Sequence, residues 1–191
     1  MMTFVDRLAR VTALIGGLVL CLLVVLTTVS VLGRGLNTLG HSGLLPEGLG
    51  DALIASGVGP VTGDFELVEA GIAFAIFSFL PFCQLHGGHA TVDIFTQGLP
   101  VKANRWIMAF WEVVLTLVIW LITVRLFAGL MGKYGNGETT FLLQFPVWWA
   151  YTGAFSAAVV ASVVAAYCAF GRVAMAATGR PFMPHSEGAI H

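Results

Sequence analysis

Charged side chains are scarce in this chain of 191 residues: Asp, Glu, Lys and Arg make up 10% of it, and hydrophobic residues make up 58%. Soluble domains usually carry about 25% charged residues. The composition, with a mean hydropathy of +0.90, therefore indicates an integral membrane protein. The net charge of −1 provides no basic surface, which argues against nucleic acid as a partner.

Cysteine is also rare, and its placement excludes two kinds of chemistry. Cys21, Cys83 and Cys168 each lie within an apolar run and form no C-x-x-C pair, so neither a disulfide framework nor a thiol redox motif is expected. A cleavable signal is not expected either. The first apolar stretch, about 11–33, exceeds the roughly 7–15 residues of a secretory core and lacks an A-x-A-like site.

Four apolar stretches are long enough to cross a bilayer, whose hydrocarbon core requires about 20 helical residues. They lie at about 11–33, 65–86, 106–130 and 146–171. Backbone in lipid must satisfy its own hydrogen bonds, which favours helices. The sequence thus predicts an all-α integral membrane protein with a single four-helix domain covering 1–191.

The distribution of basic residues predicts the orientation of these spans, because Lys and Arg accumulate on the cytoplasmic side. Six basic residues fall on one side: Arg7, Arg10, Lys102, Arg105, Arg172 and Arg180. Arg34 and Lys133 fall on the other side, with Arg125 near its helix end. Both termini are therefore predicted to be cytoplasmic.

Two connections have features of their own. The first, about 34–64, is a glycine-rich periplasmic loop that includes a possible short helix in "PEGLGDALIAS". The second follows span two and contains "HATVDIFTQGLP". In it His89 and Asp93 are i, i+4 neighbours, and we expect a short interfacial helix there that ends at Pro100.

Three acidic residues near or within the spans are the main candidates for a polar function. Glu66 and Glu69 lie at the start of span two, where a helix N-terminus favours negative charge, and we expect them to cap the helix or pair with Arg34. Glu112 lies about two turns into span three, where a charged group is costly and suggests a proton path or a buried partner. A hydrogen bond within the bundle or to a neighbouring chain is the preferred interpretation for Glu112.

The histidines permit a metal hypothesis that we consider weaker. If helix two continued past Gly87, His86, His89 and Asp93 would share one face, and two imidazoles with a carboxylate suit zinc. No fourth ligand is nearby, and the two glycines weaken such a helix. All five histidines lie outside the spans or at their edges, which argues against a haem. No cofactor, metal or catalytic group is predicted, and we expect no enzyme activity.

Three motifs occur in a characteristic order: "VLGRG" at the end of span one, "FELVE" at the start of span two, and "HATVDIFTQGLP" after it. In this order and four-span frame the chain resembles the small Q-type membrane subunit of tripartite ATP-independent periplasmic (TRAP) transporters. The matching residues are Arg34, Glu66, Glu69, His89, Val92, Asp93, Leu99 and Pro100. The resemblance covers about residues 5–172. The chain departs from the family in its longer outer segment and in His86-Gly87-Gly88.

The resemblance implies an accessory role in the bacterial inner membrane. A periplasmic binding protein would capture a small organic anion, often a carboxylate, and a large permease subunit would carry it with sodium. The small subunit would scaffold and anchor the large one among the membrane lipids and meet the binding protein transiently. Arg34, Glu66, Glu69, His89, Asp93 and Glu112 then become structural or subunit-interface candidates. The alternatives are an autonomous proton-coupled exporter using Glu112, or a metal or redox protein using His86, His89 and Asp93.

Overall fold

The computed structural model describes residues 2–43, 45–87 and 100–179. Within those ranges the chain forms five helices: α1 Met2–His41, α2 Glu47–Ala55, α3 Asp64–His86, α4 Val101–Asn136 and α5 Val147–Thr178. Four of them, α1, α3, α4 and α5, are long and apolar enough to cross a membrane, as predicted. The end at which α3 and α5 begin is called the outer end here, following the predicted orientation.

The four long helices pack in the order α1, α3, α5, α4. α5 lies centrally, because α3 and α4 each pack against it rather than against each other, and α1 packs on the far side of α3. The reason is the side-chain size on α5. Its buried positions are mostly alanines, including Ala154, Ala158 and Ala161, and small residues let neighbouring helix backbones approach closely in membranes.

α1 and α3 approach each other closely where they cross. A Cβ atom added at Gly16 would lie 2.7 Å from Cβ of Ser78, and one at Gly71 would lie 2.7 Å from Cδ1 of Leu23. A side chain at Gly16 would meet the stem of Ser78, whereas one at Gly71 would require Leu23 to move. At the inner end, Ala9 of α1, Leu85 of α3 and Val164 of α5 form one buried apolar cluster.

α1 is longer than its predicted span. Its 40 residues extend roughly 60 Å at 1.5 Å per residue, about twice the thickness of a bilayer core. Residues 34–41, predicted as the start of the periplasmic loop, continue the helix. α2, the short helix expected in this loop, folds back onto the extension. There Gly50 and Gly40 meet closely enough that a Cβ at Gly50 would lie 3.0 Å from the Gly40 oxygen.

Candidate functional site

The outer connection between α4 and α5 is a short hairpin stabilised by hydrogen bonds between backbone groups. The amide of Thr140 donates to the Phe145 oxygen at 2.9 Å, and the amide of Val147 donates to the Glu138 oxygen at 2.9 Å. Gln144 adopts a left-handed conformation with φ 56°, which turns the chain back toward α5. We call residues 138–147 the outer hairpin. Its tip presents Phe141, whose side chain is 86% exposed.

Glu66 holds the tip of the outer hairpin against α3. Its two carboxylate oxygens accept hydrogen bonds from consecutive backbone amides, Leu142 at 2.6 Å and Leu143 at 2.9 Å. Gly63, just before α3, supports the same contact. A Cβ atom on it would lie 2.4 Å from Cγ of Leu143, and its φ of +77° is one that side chains disfavour. Glu66 therefore links α3 to the α4–α5 connection.

We expected Glu66 to cap the helix or to pair with Arg34, and in the structure its carboxylate is engaged by the hairpin amides. Asp64 is the acidic residue that interacts electrostatically with Arg34. Its carboxylate also accepts a hydrogen bond from the hydroxyl of Ser30 in α1, and the amide of Val61 donates to that same hydroxyl at 3.2 Å. The outer ends of α1 and α3 are thus joined through Ser30 and Asp64.

Glu69 lies one turn below Glu66 and faces a cavity of about 730 Å³. This space, called the outer groove, lies between α3 and α4 above the first turns of α5. Glu66, Glu69, Lys133 and Glu138 contribute its charges, and Ala70, Ala73, Ala150 and Ala154 contribute much of its apolar lining. Glu69 is exposed, and among the described residues it has neither a hydrogen bond nor an ion pair.

Glu112 joins α4 to α3 in the inner half of the bundle. Its Oε1 atom accepts a hydrogen bond of 2.9 Å from Nε2 of Gln84, and Gln84 is only 2% exposed. This is the hydrogen bond within the bundle that we preferred for Glu112, and it joins α3 to α4, two helices that otherwise pack on α5. The Oε1 atom of Gln84 is buried and has no hydrogen-bond partner among the residues that the structure describes.

Hydroxyl groups reinforce the contact between α4 and α5. Thr116 Oγ1 donates to the backbone carbonyl oxygen of Glu112 within α4 at 2.8 Å and to that of Ala165 on α5 at 3.2 Å. About two turns further along α4, the hydroxyl groups of Thr123 and Ser162 form a hydrogen bond of 2.8 Å. Each bond satisfies a polar group in a region where the membrane provides no water to do so.

The inner end contains an ion pair that the sequence analysis missed. The Asp6 carboxylate of α1 forms an ion pair with Arg10, with 2.9 Å between Oδ2 and Nε. Its Oδ1 atom lies 3.5 Å from Nε2 of His86. His86 also stacks on Phe82, with 4.2 Å between the ring centroids. Its position is explained by contacts between α1 and α3 at the surface of the protein.

The metal hypothesis required α3 to continue past Gly87. α3 ends at His86, and Gly87 adopts the left-handed conformation of a C-cap with φ 64°. In the part of the chain that the structure describes, no group of three or more His, Cys, Asp and Glu is placed to hold a metal ion. His89, Asp93 and the predicted interfacial helix lie outside the described residues.

Gln84, Ser30 and Asp64 are partners that sequence reasoning did not select. Gln84 and Ser30 are uncharged, and neutral polar residues in a span give no signal of pairing.

Comparison with known proteins now adds to this geometry. Residues 55–175 match the model of the family described as "Tripartite ATP-independent periplasmic transporters, DctQ component". No curated protein and no solved structure matches the chain. The match includes α3, α4 and α5 with the outer groove, the outer hairpin and the Gln84–Glu112 bond. It agrees with a multi-pass protein of the inner membrane whose four long helices can span the bilayer. The chain belongs to the DctQ component family, the small membrane subunits of TRAP transporters.

Proposed function

We propose that this chain scaffolds and anchors the large permease subunit of a sodium-driven, binding-protein-dependent transporter that imports a small organic anion such as a carboxylate. Family membership supports a role beside a large permease and a periplasmic binding protein. The nature of the cargo and of the driving ion follows from the same resemblance.

The observation that carries the scaffolding role is how the chain uses its polar side chains within the bundle. Glu112 is bonded to Gln84, Asp64 to Ser30, and Thr123 to Ser162. These contacts hold helices together, and groups committed to such bonds are not available to coordinate and release cargo. Of the described residues that line the outer groove, the charged ones, Glu66, Glu69, Lys133 and Glu138, lie toward the outer end of the bundle.

The exporter alternative relies on Glu112 as a proton carrier. Such a carboxylate has to alternate between an accessible and an inaccessible state. Glu112 instead bonds a buried amide on the neighbouring helix. This bond favours the scaffold over the exporter.

Purification and reconstitution test the proposal. With the large subunit and binding protein co-expressed, we expect this chain to be recovered in a stable complex with the large subunit. Vesicles containing both membrane subunits, supplied with binding protein, sodium and a sodium gradient, should take up the organic anion. Vesicles containing this chain alone should show no flux. Recovery of the chain by itself despite co-expression would contradict the proposal, as would flux carried by the chain alone.

A further inference from the structure

The inner and outer halves of the bundle differ in the side chains that α3 contributes. In the inner half, Leu80 of α3 packs against the buried cluster of Ile119, Ala161 and Ala165, and the Gln84–Glu112 bond joins α3 to α4. In the outer half, α3 contributes the alanines Ala70 and Ala73, and a space of about 730 Å³ remains open beside them.

The groove carries an unbalanced negative charge. Of its three carboxylates, Glu66 is occupied by the hairpin amides, and Glu138 forms an ion pair of 2.5 Å with Lys133. Glu69 remains, exposed and uncompensated among the described residues. A carboxylate beside an apolar surface is stabilised by a cation that can bring N–H donors and an aliphatic stem with it.

The walls of the groove have the character of a helix-docking surface. Ala70 and Ala73 on α3 and Ala150 on α5, each partly exposed, line it, and small residues allow close approach of another membrane helix. An open groove of this volume in a bilayer is filled by lipid or by protein. These small residues favour protein over a flexible lipid chain.

We infer that the outer groove receives a helix of the large membrane subunit, whose lysine or arginine side chain pairs with Glu69. This inference rests on the proposed function and specifies where the two membrane subunits meet. It places the contact on α3 and α5 at the outer end.

Charge reversal tests the pairing. Glu69→Lys should lower recovery of the large subunit with this chain by about tenfold or more, because like charges at an interface cost several kcal/mol. Glu69→Gln should lower it less. Asp51→Lys is the matched control, since Asp51 lies exposed on α2, outside the groove, and it should leave recovery unchanged.

A filling variant tests the groove without changing charge. Ala73→Leu adds bulk to the lining and should also lower recovery severalfold, whereas Ala128→Leu, on an exposed position of α4 outside the groove, should not. Each variant is also purified alone, and an unchanged elution profile and helix content establish that the chain is folded.

A photo-crosslinking residue at position 69 identifies the occupant in the intact complex. A covalent adduct with the large subunit is expected. Adducts with membrane lipid alone would overturn the inference, as would wild-type recovery with both Glu69→Lys and Ala73→Leu. In either case the wild-type chain still co-purifies with the large subunit, so the proposed function stands. Failure of the wild-type complex to form would instead refute the proposed function.

Discussion

At the scale of single residues, the carboxylate of Glu66 determines the position of the outer hairpin. It accepts hydrogen bonds from two consecutive backbone amides, those of Leu142 and Leu143, which are 76 and 77 residues away in the chain. Hydrogen bonds to an ionised acceptor are stronger than neutral ones. A single side chain at the start of α3 therefore fixes a segment between α4 and α5.

Removal of this carboxylate should free the hairpin tip. In Glu66→Ala we expect hydrogen exchange at the Leu142 and Leu143 amides to accelerate roughly tenfold, because local opening no longer breaks two charge-assisted bonds. Glu69→Ala, one turn away and without such bonds, is the control. Equal protection of the two amides in Glu66→Ala and wild type would show that the hydrogen bonds to Glu66 do not hold the hairpin tip.

Gln84 and Glu112 form a side-chain hydrogen bond that joins α3 to α4. Side-chain hydrogen bonds between membrane helices contribute about 0.6 kcal/mol on average and up to roughly 1.7 kcal/mol. A double-mutant cycle with Gln84→Leu and Glu112→Leu should give a coupling within that range, measured from unfolding free energies in detergent.

Each single variant leaves one polar group without its partner. We therefore expect the two single losses of unfolding free energy to add up to more than the loss in the double variant. Glu112→Gln keeps an acceptor oxygen for Gln84 and should cost about 1 kcal/mol or less, with uptake by the complete transporter retained. Additive effects in the cycle would exclude coupling. Loss of uptake in a stable Glu112→Gln complex would favour the proton path.

At the scale of helices, the crossing of α1 and α3 depends on the absence of a side chain at Gly16. Gly16→Ala brings a methyl group to 2.7 Å from Cβ of Ser78, and overpacking of this kind typically costs about 1–3 kcal/mol. Gly35 lies in the same helix with nothing within 4 Å of an added Cβ.

We therefore expect Gly16→Ala to lower the thermal midpoint of the purified chain. Gly35→Ala should leave it unchanged or raise it, because alanine stabilises a helix relative to glycine by about 1 kcal/mol. Similar midpoints for the two variants would show that α1 does not pack on α3 as described.

At the scale of the whole molecule, the orientation of the chain is a prediction from its basic residues. Replacing Cys21, Cys83 and Cys168 with alanine provides a background for labelling by a membrane-impermeant maleimide. In intact cells with a permeabilised outer membrane, Asp51→Cys should react and Thr178→Cys should not. Inverted vesicles should give the opposite pattern, and labelling of Thr178→Cys from outside would reverse the predicted topology.

The packing order also determines how much surface the molecule offers to its surroundings. α1 contacts mainly α3 and leaves large apolar residues such as Leu14, Leu18 and Leu22 exposed. α4 lies at the opposite edge and exposes Trp111 and Leu117. In a membrane these faces contact lipid or a partner, so the arrangement gives a small chain a wide footprint, in keeping with an anchoring role.

The sequence by itself determined the class of the protein and the number of its spans. Length and apolarity are summed over about 20 residues per span, so no single contact can alter the predicted number of spans. The short helix α2 was also predicted within its loop. The family motifs are equally local, which is why Arg34, Glu66 and Glu69 were selected as candidates before any geometry was known.

The partners of those residues were decided only by the tertiary structure. Glu66 and Glu69 lie three residues apart on one helix, yet Glu66 bonds the hairpin while Glu69 faces the open groove. Gln84 meets Glu112 because alanines on α5 draw α3 and α4 onto the same helix. Helix packing depends on the combined shape of several surfaces, and a linear pattern does not contain the distances between residues far apart in the chain.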